Sequence, residues 1–188
     1  MKKKNTRPPP PLTQASLDAT GQWYVERYGG TSKALRRALW RKVDRVSEHH
    51  PIERSQAAQW IDAVVTKFQG AKLVDDEAWA RSKARSLFAR GKPPWKIRTE
   101  LGQKGISKEI AEMVVEDLVE TREVDPVLEA AATYARRRRL GPHRPEHQRA
   151  ERRDRDLGAM SRAGFNWAIA TQVIDIEDLE TLAELLEP

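Results

Sequence analysis

Gly91-Lys92-Pro93-Pro94-Trp95-Lys96-Ile97-Arg98-Thr99-Glu100-Leu101-Gly102-Gln103-Lys104-Gly105-Ile106 is the stretch that decides the fold. It reads as one short helix with both ends marked. Pro93 and Pro94 suit a helix entry, where a missing N–H needs no partner. Gly105 suits the left-handed residue just past a helix end, and Lys104 lies against the last carbonyls. Ile97 and Leu101 are four apart and share a face, which leaves Lys92, Lys96, Arg98 and Lys104 outside. So short a helix is not stable alone. A weaker version of the pattern lies before and after it, which makes this a repeat sequence.

Upstream, the apolar positions Leu17, Tyr24, Val25 and Tyr28 mark a first helix that Gly29-Gly30 stops. Thr31 or Ser32 caps a second, with Leu35, Leu39 and Val43 inward, and Pro51 opens a third, with Ala57, Ile61, Val64 and Phe68 at helical spacing. The middle cycle begins with a helix capped by Asp75 or Asp76 and containing Trp79, Ala80, Ala84, Leu87 and Phe88. The quoted helix follows, and Ser107 caps one with Ile110, Ala111, Val114 and Leu118. A third cycle starts at Asp125-Pro126, with Leu128, Ala131, Tyr134 and Ala135. Gly141-Pro142 breaks it, a helix from about Pro145 to Arg162 follows, and Gly164-Phe165-Asn166 repeats Gly105-Ile106-Ser107. The expectation is an all-α chain of three tandem three-helix repeats, 16–73, 74–123 and 124–174, forming an elongated array. Residues 1–15 are expected to be a disordered basic, proline-rich tail, and 175–188 an acidic C-terminal helix or tail.

Composition agrees with small units and much solvated surface. Of 188 residues, 33% are charged, and the formal net charge is +6. That balance suits nucleic acid or an acidic protein as partner. Cysteine is absent, which excludes disulfides and thiolate metal sites. No apolar run approaches membrane-spanning length, and the lysine-bearing N-terminus continues into Pro8–Pro11 without the apolar core of a signal peptide. A cytoplasmic monomer is expected, with no membrane association.

The chain resembles the RecX family, bacterial regulators of the RecA recombinase. The likeness rests on Leu73-Val74-Asp75-Asp76-Glu77-Ala78-Trp79-Ala80 followed by the quoted block, which looks like the family's "G-x-x-x-I-x-x-E-L-x-x-K-G" pattern. Ala163-Gly164-Phe165-Asn166 resembles its closing "R-G-F" turn, with Ala163 in place of arginine. Tyr24-Val25-Glu26-Arg27-Tyr28 before Ser32, Leu35, Arg36 and Arg37 resembles its opening. The resemblance implies a curved all-α array of three tandem three-helix repeats, binding within the groove of the RecA–DNA filament and inhibition of RecA's ATPase, strand-exchange and coprotease functions, within DNA recombination, repair and the SOS response.

Charge is segregated. Arg81 to Lys104 carries eight basic residues and one acidic, and Arg136 to Arg155 nine basic and three acidic, whereas Glu109 to Asp125 carries seven acidic and one basic. Like charges packed this densely repel, which favours a binding role for the clusters over ordinary solvated faces. The candidate partner-binding residues are Arg81, Arg85, Arg90, Lys92, Lys96, Arg98, Lys104, Arg136, Arg137, Arg138 and Arg139. Weak, non-specific contact with DNA phosphates is the further expectation. The alternative is a helix-turn-helix-like nucleic-acid-binding protein, against which stand the acidic side chains Glu109, Glu112, Glu116 and Asp117 on the third helix of the middle cycle. Asp75 and Asp76 read as a helix cap, and His143 and His147 as a loop and helix start. With no nucleophile–base pair, phosphate cradle or metal-ligand set, neither an enzyme nor a cofactor or metal is expected.

Overall fold

Thr13 and Ser16 satisfy each other's backbone N–H groups at 3.1 and 3.2 Å, a reciprocal cap that starts α1 (Gln14–Tyr28). Comparable caps recur through this computed structural model, which describes residues 8–187. Thr31 caps α2 (Ser32–Ser47), Glu53 caps α3 (Arg54–Gly70) and Asp75 caps α4 (Asp76–Phe88). A proline precedes α5 (Pro94–Gln103), and Ser107 and Asp125 cap α6 (Lys108–Glu120) and α7 (Pro126–Arg138). A 3-10 turn, Gly141–His143, leads to α8 (Glu146–Ala163), and α9 (Trp167–Ile174) and α10 (Leu179–Glu184) begin at Asn166 and Asp178. The fold is all-α, with no strand among the described residues. No helix among them is long and apolar enough to cross a membrane.

Two compact units divide between Trp79 and Ala80. In the first, α2 presents Leu35, Leu39 and Val43 to Ala57, Ile61, Val64, Val65 and Phe68 of α3, and Leu17 of α1 closes the cluster. A Cβ on Gly21 would stand 3.2 Å from Val64 and Phe68, so α1 crosses α3 closely there. Asp76 does not cap its own helix. It accepts the Ser32 N–H at 2.8 Å and the Ser32 hydroxyl, serving the first turn of α2 instead.

Three local expectations change in this unit. Tyr28, grouped by spacing with Leu17, Tyr24 and Val25, is 61% exposed, because it is the last residue of α1, beyond Tyr24 and Val25, which still pack on the core. Pro51 does not open α3. The helix starts at Arg54, where Glu53 supplies the capping carboxylate, and Ile52 between them packs on the core. Of the tail expected over 1–15, residues 1–7 lie outside the described residues. The remainder is anchored: His50 Nε2 hydrogen-bonds the Pro9 carbonyl at 2.8 Å, Leu12 packs on the core, and α1 has begun by Gln14.

The second unit is built on close approach. Gly91 has φ +76°, and a Cβ there would lie 2.5 Å from the Tyr134 nitrogen and 2.8 Å from the Ala130 oxygen. Only glycine fits. The facing helix α7 is correspondingly small-sided, with Ala130, Ala131, Ala132 and Ala135 all buried. Ile97 and Leu101 of α5 are fully buried, and α6 adds Ala111, Val114 and Val115 to the core. Arg122 joins α6 to α7: its guanidinium lies 4.1 Å over the Phe88 ring and 2.6 Å from both Glu129 oxygens. Met160 and Leu157 of α8 and Val173 of α9 are buried on the far side, with the Phe165 ring beside Tyr134. The acidic segment after α9 is short in helix, and Leu182 of α10 is its buried anchor.

Leu101→Ala is expected to destabilise the protein by about 2–4 kcal/mol, as buried leucine truncations do. Leu73→Ala, at an exposed position, should stay within about 0.5 kcal/mol of wild type. Urea denaturation followed by circular dichroism checks both.

Candidate functional site

The last turn of α7 is Arg136-Arg137-Arg138, where positive charge is favoured by the helix dipole. Arg139 then turns left-handed at φ 54°, and Gly141 follows at φ 52°. A Cβ on Gly141 would stand 2.9 Å from the backbone of Ile174, so the chain passes against α9 at a point where a side chain cannot fit. Asp156 holds this turn from below. It is 1% exposed, and its carboxylate accepts the Gly141 N–H at 3.0 Å and two bonds from Arg144 at 2.6 and 2.7 Å. Burial acts to raise the Asp156 pKa, but the bonds from Arg144 and Gly141 outweigh it and hold the carboxyl below its ordinary range.

The anchored turn and one face of α8 form a trough. Gln148, Arg152, Arg155, Ala159 and Arg162 recur at three- and four-residue intervals and so share a face. With Arg137, Arg138, Arg139, Leu140 and Arg144 they line a cleft of about 590 Å³. Asp156 is its only lining carboxylate among the described residues, and it is committed to Arg144. Arg138, Ala159 and Arg162 also line a second cleft of about 260 Å³, with Gly91, Lys92, Lys96, Tyr134 and Ala163. The two clefts form one basic trough from α5 along α8 to the arginine turn.

The end of the trough near α5 is fastened by the motif helix. Trp95, 51% exposed, donates from Nε1 to the Gly164 carbonyl at 3.0 Å, and Lys96 donates to the carbonyls of Arg162 and Ala163 at 3.2 and 3.0 Å. Lys96 therefore satisfies the C-terminus of α8 as well as adding charge. Lys92 is bonded to Glu100 at 2.6 Å.

Of the residues expected from sequence, the structure brings Lys92, Lys96, Arg137, Arg138 and Arg139 together. Arg81 and Arg85 lie on a different cleft, between α4 and α6, where Arg81 is 2.6 Å from Asp117. Arg136 lines a third, apolar cleft with His143, Leu179, Leu182 and Leu186; burial, then Arg136 and Arg149, push the His143 imidazole pKa down. Arg90 and Lys104 are exposed and Arg98 is half-buried, outside the lining of the trough. Arg144, Arg152, Arg155 and Arg162 were not among the expected residues. The spacing along α8 was the signal that could have found the last three. No group of three or more metal-binding side chains occurs among the described residues.

A model of the family described as RecX, second three-helix domain, matches residues 75–115. The chain is 39% identical over 175 residues to the regulatory protein RecX of Myxococcus xanthus strain DK1622, covering 93% of this chain and 92% of that one. The chain belongs to the RecX family. It is also 31% identical over 144 residues to the regulatory protein RecX of Agrobacterium fabrum strain C58, covering 77% of this chain and 73% of the relative. A crystal structure of a regulatory protein RecX superposes with a TM-score of 0.58 at 21% identity, over 87% of this chain and 72% of that one. The RecX model match contains both the Asp75 cap of α4 and the helix α5 that fastens the trough.

Asp156→Ala is expected to cost about 1–3 kcal/mol at pH 7, since it leaves the Gly141 N–H without an acceptor and takes the carboxylate partner from the half-buried Arg144. The difference from wild type is full above the unfolded carboxyl's pKa of about 3.9. It shrinks as pH falls through the lower folded value, because protonation then removes the same charge from the wild type. Denaturation of both proteins across an acid series checks the magnitude and the sign.

Proposed function

We propose that this chain is a regulator that binds the RecA–DNA filament and inhibits RecA's ATPase, strand-exchange and coprotease activities. The observation that carries the reading is the arginine trough of the second unit in a chain of the RecX family. Seven arginines and two lysines line it, against one carboxylate already committed. A nucleoprotein filament offers the complementary surface: a regular array of phosphates within a protein groove. In this reading the groups α1–α3, α4–α6 and α7–α9 act as three repeats, over 16–73, 74–123 and 124–174, in a cytoplasmic monomer serving recombination, DNA repair and the SOS response.

Direct contact with DNA belongs to the same reading, through phosphates and without sequence preference. The helix-turn-helix alternative is less well supported, because α6 carries Glu109, Glu112, Glu116 and Asp117 and would repel the backbone. Binding to unrelated duplexes and single strands should fall steeply with salt, by a log–log slope of about −0.7 to −0.9 per phosphate neutralised.

RecA ATPase on single-stranded DNA is expected to fall when this protein is added at substoichiometric amounts. Arg138→Glu with Arg162→Glu should weaken that inhibition tenfold or more, about 1.4 kcal/mol, with helical content unchanged. Full inhibition by the folded double variant would move the contact away from the trough. No inhibition by wild type would overturn the reading.

A further inference from the structure

The first unit carries a second basic surface of a different kind. At the end of α1, Trp23 and Tyr28 are 54% and 61% exposed, large for aromatic side chains in a folded unit. They meet edge to face, with ring centroids 5.7 Å apart at 79°, and Tyr24 lies 5.4 Å from Tyr28. On the facing helix α2, Ala38, Arg41, Lys42 and Arg45 recur at helical spacing and complete a cleft of about 470 Å³ with the three aromatics. Lys42 is occupied: it donates to the Ser16 carbonyl at 2.8 Å and the Thr20 hydroxyl at 2.7 Å, holding α2 against α1. Arg41 and Arg45 are exposed, and neither has a carboxylate partner among the described residues. The neighbouring acids are engaged elsewhere, Glu26 by Gln22 at 2.9 Å and Asp44 by Arg54 at 3.2 Å, and neither lines the cleft.

We propose that this aromatic–arginine cleft binds single-stranded nucleic acid, a base stacking on Trp23 or Tyr28 and the adjacent phosphates meeting Arg41 and Arg45. The two arginines are one helical turn apart, about 6 Å along the axis, which suits successive phosphates of an extended strand. Exposed rings bordered by arginines, with the Arg27 guanidinium already 5.8 Å from the centre of the Tyr28 ring, match a polymer in which each unit carries one flat ring and one negative charge. Ala38 at the cleft floor leaves room for the ring. A duplex does not fit the chemistry, since its bases are already stacked on each other. An acidic protein segment would satisfy the arginines but has no reason to require the rings. This surface shares no residue with the trough, and its test contains no RecA.

Anisotropy of a fluorescein-labelled short oligo-dT with the full chain tests it, beside an abasic strand of the same length. Wild type should bind oligo-dT more tightly than the abasic strand. Trp23→Ala with Tyr28→Ala should lower oligo-dT affinity about five- to a hundredfold and remove the preference over the abasic strand. Trp23→Phe should retain most of it. Arg41→Ala with Arg45→Ala should weaken both strands. Both aromatic positions are exposed, so the variants should melt at the wild-type temperature. Equal affinity of wild type for the two strands, or unchanged oligo-dT affinity in the folded double aromatic variant, would overturn the proposal. Binding of an acidic peptide that depends on Trp23 and Tyr28, with oligo-dT unaffected by their loss, would also overturn it and assign the cleft to a protein.

Discussion

One buried carboxylate organises the arginine trough. Asp156 accepts three hydrogen bonds from the turn after α7: Gly141 and Arg144 belong to a segment with a left-handed arginine at its start and prolines at positions 142 and 145. Removing a carboxylate from water is unfavourable unless its lone pairs are met. Here they are met by the very turn that must be positioned. The cost of burial is offset only when the chain leaves α7 at Arg139 in the observed direction, which sets the turn beside Arg137 and Arg138. The same pair also removes one arginine from the local repulsion, since Arg144 is neutralised within the fold.

The repulsion that remains is distributed among other partners. The final turn of α7 places three arginines at the negative end of its dipole. On α8, Arg153 grips Asp175 with two bonds of 2.6 Å, and Arg149 reaches the carbonyls of Arg144, Pro142 and Glu177. The acidic segment after α9 is thus a counter-charge to the side of α8 that faces away from the trough, and it leaves Arg155 and Arg162 available in it beside Arg152, which lies 3.4 Å from Glu151. A helix with basic residues on every side would be poorly stable. Splitting them between an internally paired face and an open one allows a dense positive surface on a folded protein.

Much of this was legible in the residues. Caps and breakers such as Thr31, Asp75, Ser107, Asp125 and Asn166 define their helices locally, and Leu35, Leu39, Ile61, Ile97 and Leu101 reveal their burial through spacing alone. Failures arose where tertiary contacts decide. Tyr28 has an apolar helical register, yet it ends α1 just beyond Tyr24 and Val25, where packing on the core stops. Pro51 is a plausible helix start, yet the capping carboxylate sits at Glu53. The candidate site was legible as charge and not as place. Runs in sequence grouped Arg136 with Arg137 to Arg139, but one residue of helix rotation sends Arg136 to another cleft. Arg162, far from any run, joins the site because α8 is long enough to return to α5.

The bonds from Lys96 to the end of α8 have a consequence for motion. A helix terminus ordinarily frays by itself, opening its last turn at little cost. Here the last carbonyls of α8 are satisfied by a side chain from α5, a helix more than sixty residues earlier in the chain. Fraying of α8 therefore strips α5 of a contact, and displacement of α5 uncaps α8. Amide hydrogens at the two ends should exchange with solvent as one cooperative group, so that local opening spreads between the motif helix and the arginine helix and bypasses the residues that separate them in sequence.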